Sequence, residues 1–172
     1  LPAVTQADLK ARTKKLSAFS TYFVASKTAR AHNIALACER IAGNVLLPGE
    51  TFSFNAAVGL RTAENGFQEA PIISGGEYVS GTGGGVCQVS TTLMNAALRA
   101  GLTVTESRPH SLAVGYVPPS LDAMVSRWSD LKFTNPYPFP VYLLGRAAAG
   151  KVAFEIYGKP DGRRYETESR VL

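Results

Sequence analysis

The stretch Gly81–Leu93, GTGGGVCQVSTTL, sets three consecutive glycines in front of one of the chain's two cysteines and then turns into a helical pattern. Val89, Leu93, Ala96, Ala97 and Ala100 recur at the spacing of one apolar helix face, and Gly101 supplies a stop, which predicts a helix over about 87–100. Cys87 therefore falls in a first turn, where unpaired N–H groups and the helix dipole favour negative charge by typically ~0.3–1 kcal/mol at exposed sites. The attacking form of a cysteine is the thiolate, so this is a suitable place for a nucleophile. Gly84 and Gly85 keep side chains off the approach, and a substrate carbonyl can then lie against backbone donors at Val86 and Cys87, with the Gln88 amide as a further donor. The plainer reading is a flexible glycine turn before a small buried hydrophobe.

Upstream, Ile34, Cys38, Ile41 and Val45 predict a second helix over about 28–44, ended by Gly43-Asn44. Cys38 lies on its apolar face and reads as a small hydrophobe. His32, at the polar start, reads as a surface residue. Ala7–Phe23 is basic and mildly apolar and reads as a short helix or an extended arm, with Leu9, Leu16 and Phe19 available to dock. LLPGETFSFN (46–55) gives a Pro-Gly turn and a short strand, and APIIS and EYV give two more strands among glycine loops.

Downstream the pattern changes to β. LTVTES, SLAVGYV, AMVSRW and DLKFT are strand candidates, and PVYLLGRAAAGKVAFEIYG reads as two strands joined by a small-residue turn. The prolines of TNPYPFP mark a loop. The expected class is α+β, with two main helices packed on a mostly antiparallel β-sheet built largely from the C-terminal half. At 172 residues a single domain is expected, with 1–27 as the arm, 28–158 as the core and 159–172 as a tail.

The formal charge of +5 suits an acidic partner, but lysine and arginine cluster near the ends and no basic block is interleaved with aromatics, which argues against nucleic acid. No run approaches the ~18 apolar residues of a membrane span, and Leu1 opens on no signal pattern, so the sequence reads as an excised or processed piece whose membrane attachment, if any, lies in other segments. Two cysteines and two histidines without short paired spacing argue against a metal. A Cys38–Cys87 disulfide would need Cα atoms within ~7 Å.

A nucleophilic cysteine needs a base. The only histidine after it is His110, in ESRPHSLAVGY, held by Pro109 at what reads as a strand start. Asp122, Ser111, Glu106 and backbone carbonyls are all eligible to orient the ring; Asp122 is preferred only slightly as a carboxylate, and a turn residue is its more ordinary reading. Arg61 matches a substrate carboxylate or is a surface arginine. Ser90 and its threonine neighbours suit capping or ligand contact, as does Tyr116 for the latter.

Four blocks, LLPGETFSFNAAVGLRTAENGF, GGGVCQVSTTLMNAALRAGL, RPHSLAVGYVP and DLKFTNPYPFPV, resemble in that order the VanW family, which is named from vancomycin-resistance gene clusters and widespread in bacterial envelope proteins. The resemblance covers about Ala29–Gly158. It implies a cysteine-dependent L,D-transpeptidase acting on peptidoglycan stem peptides, without cofactor, in an extracytoplasmic, envelope location, and a monomer is expected. Carried over by position, Cys87 is the nucleophile and His110 the general acid/base, while Arg61, Gln88 and Ser111 occupy motif positions without a stated role. Two departures are mild: relatives often carry a glycine where this chain has Pro119-Ser120, and RWSD replaces a more glycine-rich approach to DLKF. A cysteine amidase or endopeptidase, or a non-catalytic wall-binding module, fits the same residues.

Overall fold

The computed structural model describes residues 13–170. In chain order these form β1 (Lys14–Tyr22), α1 (Thr28–Ile41), β2 (Val45–Leu46), β3 (Thr51–Ser53), the short α2 (Phe54–Val58), β4 (Glu69–Ser74), β5 (Glu77–Thr82), α3 (Val86–Arg99), β6 (Thr103–Glu106), β7 (Lys132–Thr134), β8 (Val141–Ala148) and β9 (Lys151–Gly158). The class is α+β, with antiparallel pairing throughout. The strands divide into a four-stranded sheet, β1-β9-β8-β2, a three-stranded sheet, β3-β7-β6, and the β4-β5 hairpin.

The main sheet is centred on the β8-β9 hairpin, whose two-residue turn places Ala149 and Gly150 at φ of +49° and +75°, the conformation that matches the twist of paired strands. Val152, Phe154 and Ile156 of β9 alternate inward with Val141 and Leu143 of β8, and all five are fully buried. Burying a side chain of that size contributes roughly 1.5–3 kcal/mol. Helix α1 packs on β8, and α3 packs on β1 and β9.

Part of the segment read as a helix or an arm is a full strand of the main sheet. β1 pairs with β9 along its length, with a bulge between Lys15 and Ser17. Its fully buried inward positions are Ser17 and Thr21, so no apolar alternation advertises it. Both hydroxyls bond to α3: Ser17 Oγ donates to the Ala96 carbonyl at 2.7 Å, and Thr21 and Thr92 share a hydrogen bond of 2.8 Å. The part of the arm before residue 13, Leu9 included, lies outside the described residues.

Two other expectations fail. SLAVGYV and AMVSRW form no strand; residues 107–131 run as irregular chain between β6 and β7. Polar groups of this irregular chain bond instead to α3 and within the segment: the Ala123 N–H donates to Thr91 Oγ1 at 2.9 Å, Asn95 Nδ2 donates to the Leu121 carbonyl at 2.7 Å, and the Met124 N–H donates to the Arg108 carbonyl at 2.7 Å. Helix α3 is thus buried on every side from Gln88 to Ala97, between the main sheet and this long segment. That explains its composition. One ridge is apolar, Gln88 and Thr92 meet β1, and Ser90, Thr91 and Asn95 meet residues 121–123.

Candidate active site

The glycine run builds the start of α3 by necessity of shape. Gly83 and Gly85 have φ of +89° and +104°, left-handed values that L side chains resist. A Cβ on Gly84 would stand 2.6 Å from the carbonyl oxygens of both Ala70 and Pro71. Asn33 of α1, fully buried, holds the loop from the other side: its Nδ2 donates to the carbonyls of Gly84 at 3.0 Å and Gln68 at 2.9 Å, and its Oδ1 accepts from the Gln68 N–H at 2.8 Å. Sequence reasoning passed over Asn33. Its signal was a polar residue in register with the apolar stripe Ile34, Ala37, Cys38 and Ile41.

Cys87 occupies the first turn of α3, half-buried. The N–H of Val86 is bonded to the Gly83 carbonyl at 3.1 Å and that of Gln88 to the Gly85 carbonyl at 3.0 Å. Among the described residues the Cys87 N–H has no acceptor. Of the two backbone donors expected to face a carbonyl, Val86 is therefore engaged and Cys87 is open. Val125, from the irregular segment, frames the sulfur, with its N–H 3.5 Å and its carbonyl 3.4 Å from Sγ. The N–H suits a thiolate, and the carbonyl accepts from the thiol.

His110 is not at a strand start but in the irregular chain, and it still reaches the cysteine. Asp122 Oδ2 accepts twice from it, from the backbone N–H at 2.7 Å and from Nδ1 at 2.6 Å, with side chains only 5% and 9% exposed. With Nδ1 directed at Asp122, Nε2 is the nitrogen left to exchange a proton with the thiol, whose charge acts on the ring. Burial alone would make the imidazole harder to protonate. The hydrogen bonds and charges of Cys87 and Asp122 outweigh it and raise the His110 pKa above the ordinary 6.5. Cys87, His110 and Asp122 thus form a row of thiol, imidazole and carboxylate, an order like that of cysteine acyl-transfer sites.

The remaining residues separate into those that face the site and those that support it. Tyr116 is half-buried and feels the charges of Cys87, Arg30 and Asp122; burial first, and then Cys87, raises its pKa, keeping the phenol protonated as a donor. Arg61 runs along Gly83 and donates from Nη1 to Asn55 Oδ1 at 2.7 Å. Burial lowers its pKa, while Cys87 and Asp130 favour its charge, so the guanidinium lies on the site's electrostatic border. Asn55 is itself fixed by Asp130 and the carbonyls of Ser126 and Ser129.

Gln88 is not an available donor. Its Nε2 is bonded to Thr21 Oγ1 at 3.0 Å and the Tyr22 carbonyl at 2.9 Å, and its Oε1 accepts from Arg30 at 2.7 Å. Ser90 is fully buried and donates to the carbonyls of Ala123 at 2.6 Å and Cys87 at 3.1 Å, so it ties the irregular segment to α3 and does not meet ligand. Ser111 is exposed next to His110. His32 is exposed, with Nε2 2.8 Å from the Gly66 carbonyl, far in role from any base.

A groove of about 380 Å³ is walled in part by Tyr116 and by Gln88, the residue that follows Cys87. The larger cavity, about 560 Å³, lies at the opposite end of α3, between Arg99 and the tail at 160–167, away from this chemistry. Among the described residues no His, Cys, Asp or Glu cluster is suited to a metal, and no helix is long and apolar enough to cross a membrane.

Comparison with known proteins gives a consistent family. The profile of the family described as VanW like protein matches residues 29–157. The chain is 44% identical over 147 residues to the uncharacterized protein YoaR of Bacillus subtilis, covering 84% of this chain and 48% of YoaR. It is 31% identical over 109 residues to the vancomycin B-type resistance protein VanW of Enterococcus faecalis, covering 60% of this chain and 40% of that protein. The chain thus spans about half the length, or less, of these relatives. No solved structure matches it.

Proposed function

The chain belongs to the VanW-like family, and from that premise and the geometry of the site we propose that it is a cysteine acyltransferase of the cell envelope, an L,D-transpeptidase acting on peptidoglycan stem peptides. The observation that carries the reading is the row Cys87, His110, Asp122 at the start of a helix whose Cys87 N–H is open.

Each step uses a group already in place. Cys87 Sγ attacks the carbonyl carbon of the L-residue that precedes the terminal D-alanine of a tetrapeptide stem. The developing oxyanion is held by the Cys87 N–H, with the Tyr116 hydroxyl as a second donor. The carbon–nitrogen bond breaks, and D-alanine leaves as an amine after taking a proton from His110. The side-chain amine of a neighbouring stem then attacks the thioester, gives its proton to His110 and releases the thiolate, which leaves an amide between the third residues of two stems. Asp122 holds the imidazole through both transfers. The positive net charge is compatible with a polyanionic wall.

Intact-mass measurement after incubation with a tetrapeptide stem tests this directly. The expected result is an adduct of the stem less D-alanine on the wild type and none on Cys87→Ala. Adduct consumed by an amine acceptor gives the transpeptidase. Adduct consumed only by water gives a hydrolase. A folded protein with a free Cys87 thiol that forms no adduct and releases no D-alanine rejects the enzyme reading in favour of a wall-binding module.

A further inference from the structure

The groove beside the cysteine has a chemistry that the acyl-transfer steps do not use. It runs between the end of β1 and the start of α1, where Tyr22, Lys27 and Arg30 form one side and Gln88 and Tyr116 the other. Among the described residues no aspartate or glutamate lines it. Arg30 commits Nη2 to Gln88 Oε1 at 2.7 Å, which fixes the guanidinium, and among the described residues no other hydrogen bond or ion pair engages the group. Lys27 is exposed and has no ion-pair partner among the described residues. A third cation, Lys151, lies with Nζ 5.8 Å from the centre of the Tyr22 ring.

Concentrating cations without a balancing acid in one concave place has an electrostatic cost that a bound anion relieves. The groove also adjoins the start of α3. Gln88, the residue after Cys87, and Tyr116 both form part of its wall. A peptide with its carbonyl at Cys87 can therefore extend an anionic group into the groove.

We propose that this groove is a carboxylate-binding subsite for the acyl donor, with Lys27 and Arg30 as its specificity-determining residues. The proposal rests on the acyltransferase reading. Its ligand is a peptide carboxylate, either the terminal one or one on a side chain. Arg30 gives a planar fork fixed by Gln88, and Lys27 gives a mobile point charge at the rim. Gln88 then has a role unlike the oxyanion donor expected of it, since it orients Arg30 and anchors β1.

Two readouts on the 172-residue chain keep this proposal separable from the reading beneath it. The first is protection of Cys87 from iodoacetamide by tetrapeptide stems with free carboxylates, with the terminal carboxylate amidated, or with side-chain carboxylates amidated; this needs binding alone. The second is acyl-adduct formation by the same three peptides. The free acid is expected to protect at about tenfold lower concentration than one of the amides. That advantage shrinks in Lys27→Gln, reverses in Lys27→Glu and weakens with added salt. The amide that loses protection identifies which carboxylate the groove holds. Lys27 is exposed, so these variants leave the packing intact.

Protection by the acid without any adduct supports the subsite and rejects the acyltransferase. Adduct formation at equal rates from acid and amides, unchanged in Lys27→Glu, overturns the subsite and leaves the acyltransferase standing. Neither protection nor adduct overturns both.

Discussion

The two cysteines occupy the two main helices and could hardly differ more in circumstance. Cys38 sits in the middle of α1, 1% exposed, pressed against Gly145 of β8, where an added Cβ would stand 2.9 Å from its sulfur. Burial pushes its thiol up to about 12. Cys87 sits in the first turn of α3, half-buried, with an open N–H, the Val125 N–H near its sulfur and a histidine within reach. Residue type is the same in both. Position along a helix and the partners brought by another segment decide which thiol is sealed in packing and which is open to reaction.

The contrast is broken most severely if Cys87→Ala retains activity. The expected outcome is loss of turnover and of the acyl adduct by at least ~1,000-fold, with the thermal midpoint little changed. Next in size is Asp122→Asn, expected to lower the turnover rate by roughly 100- to 10,000-fold by loosening the ring and its tautomer. This variant also tests the pH behaviour. The His110 pKa is raised in the folded protein, so the stability it adds is full below ~6.5 and is lost as pH rises through the raised value. Nuclear magnetic resonance of the ring protons should show titration above 6.5 in the wild type and a downward move in Asp122→Asn. An unchanged titration would show that Asp122 does not govern the imidazole.

A direct race between the thiols sharpens the comparison. Iodoacetamide should label Cys87 at least ~100-fold faster than Cys38 in the native protein and both alike in denaturant, read by peptide mass mapping. Comparable native labelling would mean that α1 opens readily. The smallest effect concerns the packing thiol. Gly145→Ala should cost about 1–3 kcal/mol in denaturant melts, because its Cβ would also lie 2.6 Å from the Phe154 ring. Cys38→Ala added to it should recover part of that loss while leaving turnover intact.

Much of this was legible in residue order. Apolar spacing marked α1 and α3 to within a few residues, and β8 and β9 were marked in the same way, because those elements bury one regular face. β1 was opaque because its deeply buried residues are Ser17 and Thr21, whose value comes from hydrogen bonds to α3. SLAVGYV and AMVSRW carried strand composition yet form no ladder; in the second, the Ala123 backbone finds its partners in Ser90 and Thr91 of α3 instead. Ser120 shows a finer mismatch: it has a φ of +65°, a left-handed value that its side chain disfavours.

The sequence by itself determined the family, the two helices, the glycine loop before Cys87 and the pairing of one cysteine with one histidine, because these depend on local spacing and on residue types with few alternatives. Tertiary structure decided that Asp122 holds His110, that Val125 frames the sulfur, that Asn33 pins the glycine loop, and that Gln88 serves Arg30 and not an oxyanion. Each of these is a contact between segments distant in the chain. A hydrogen bond across such a distance leaves no periodic trace, since it depends on where the folded backbone carries two polar groups and not on the spacing of either.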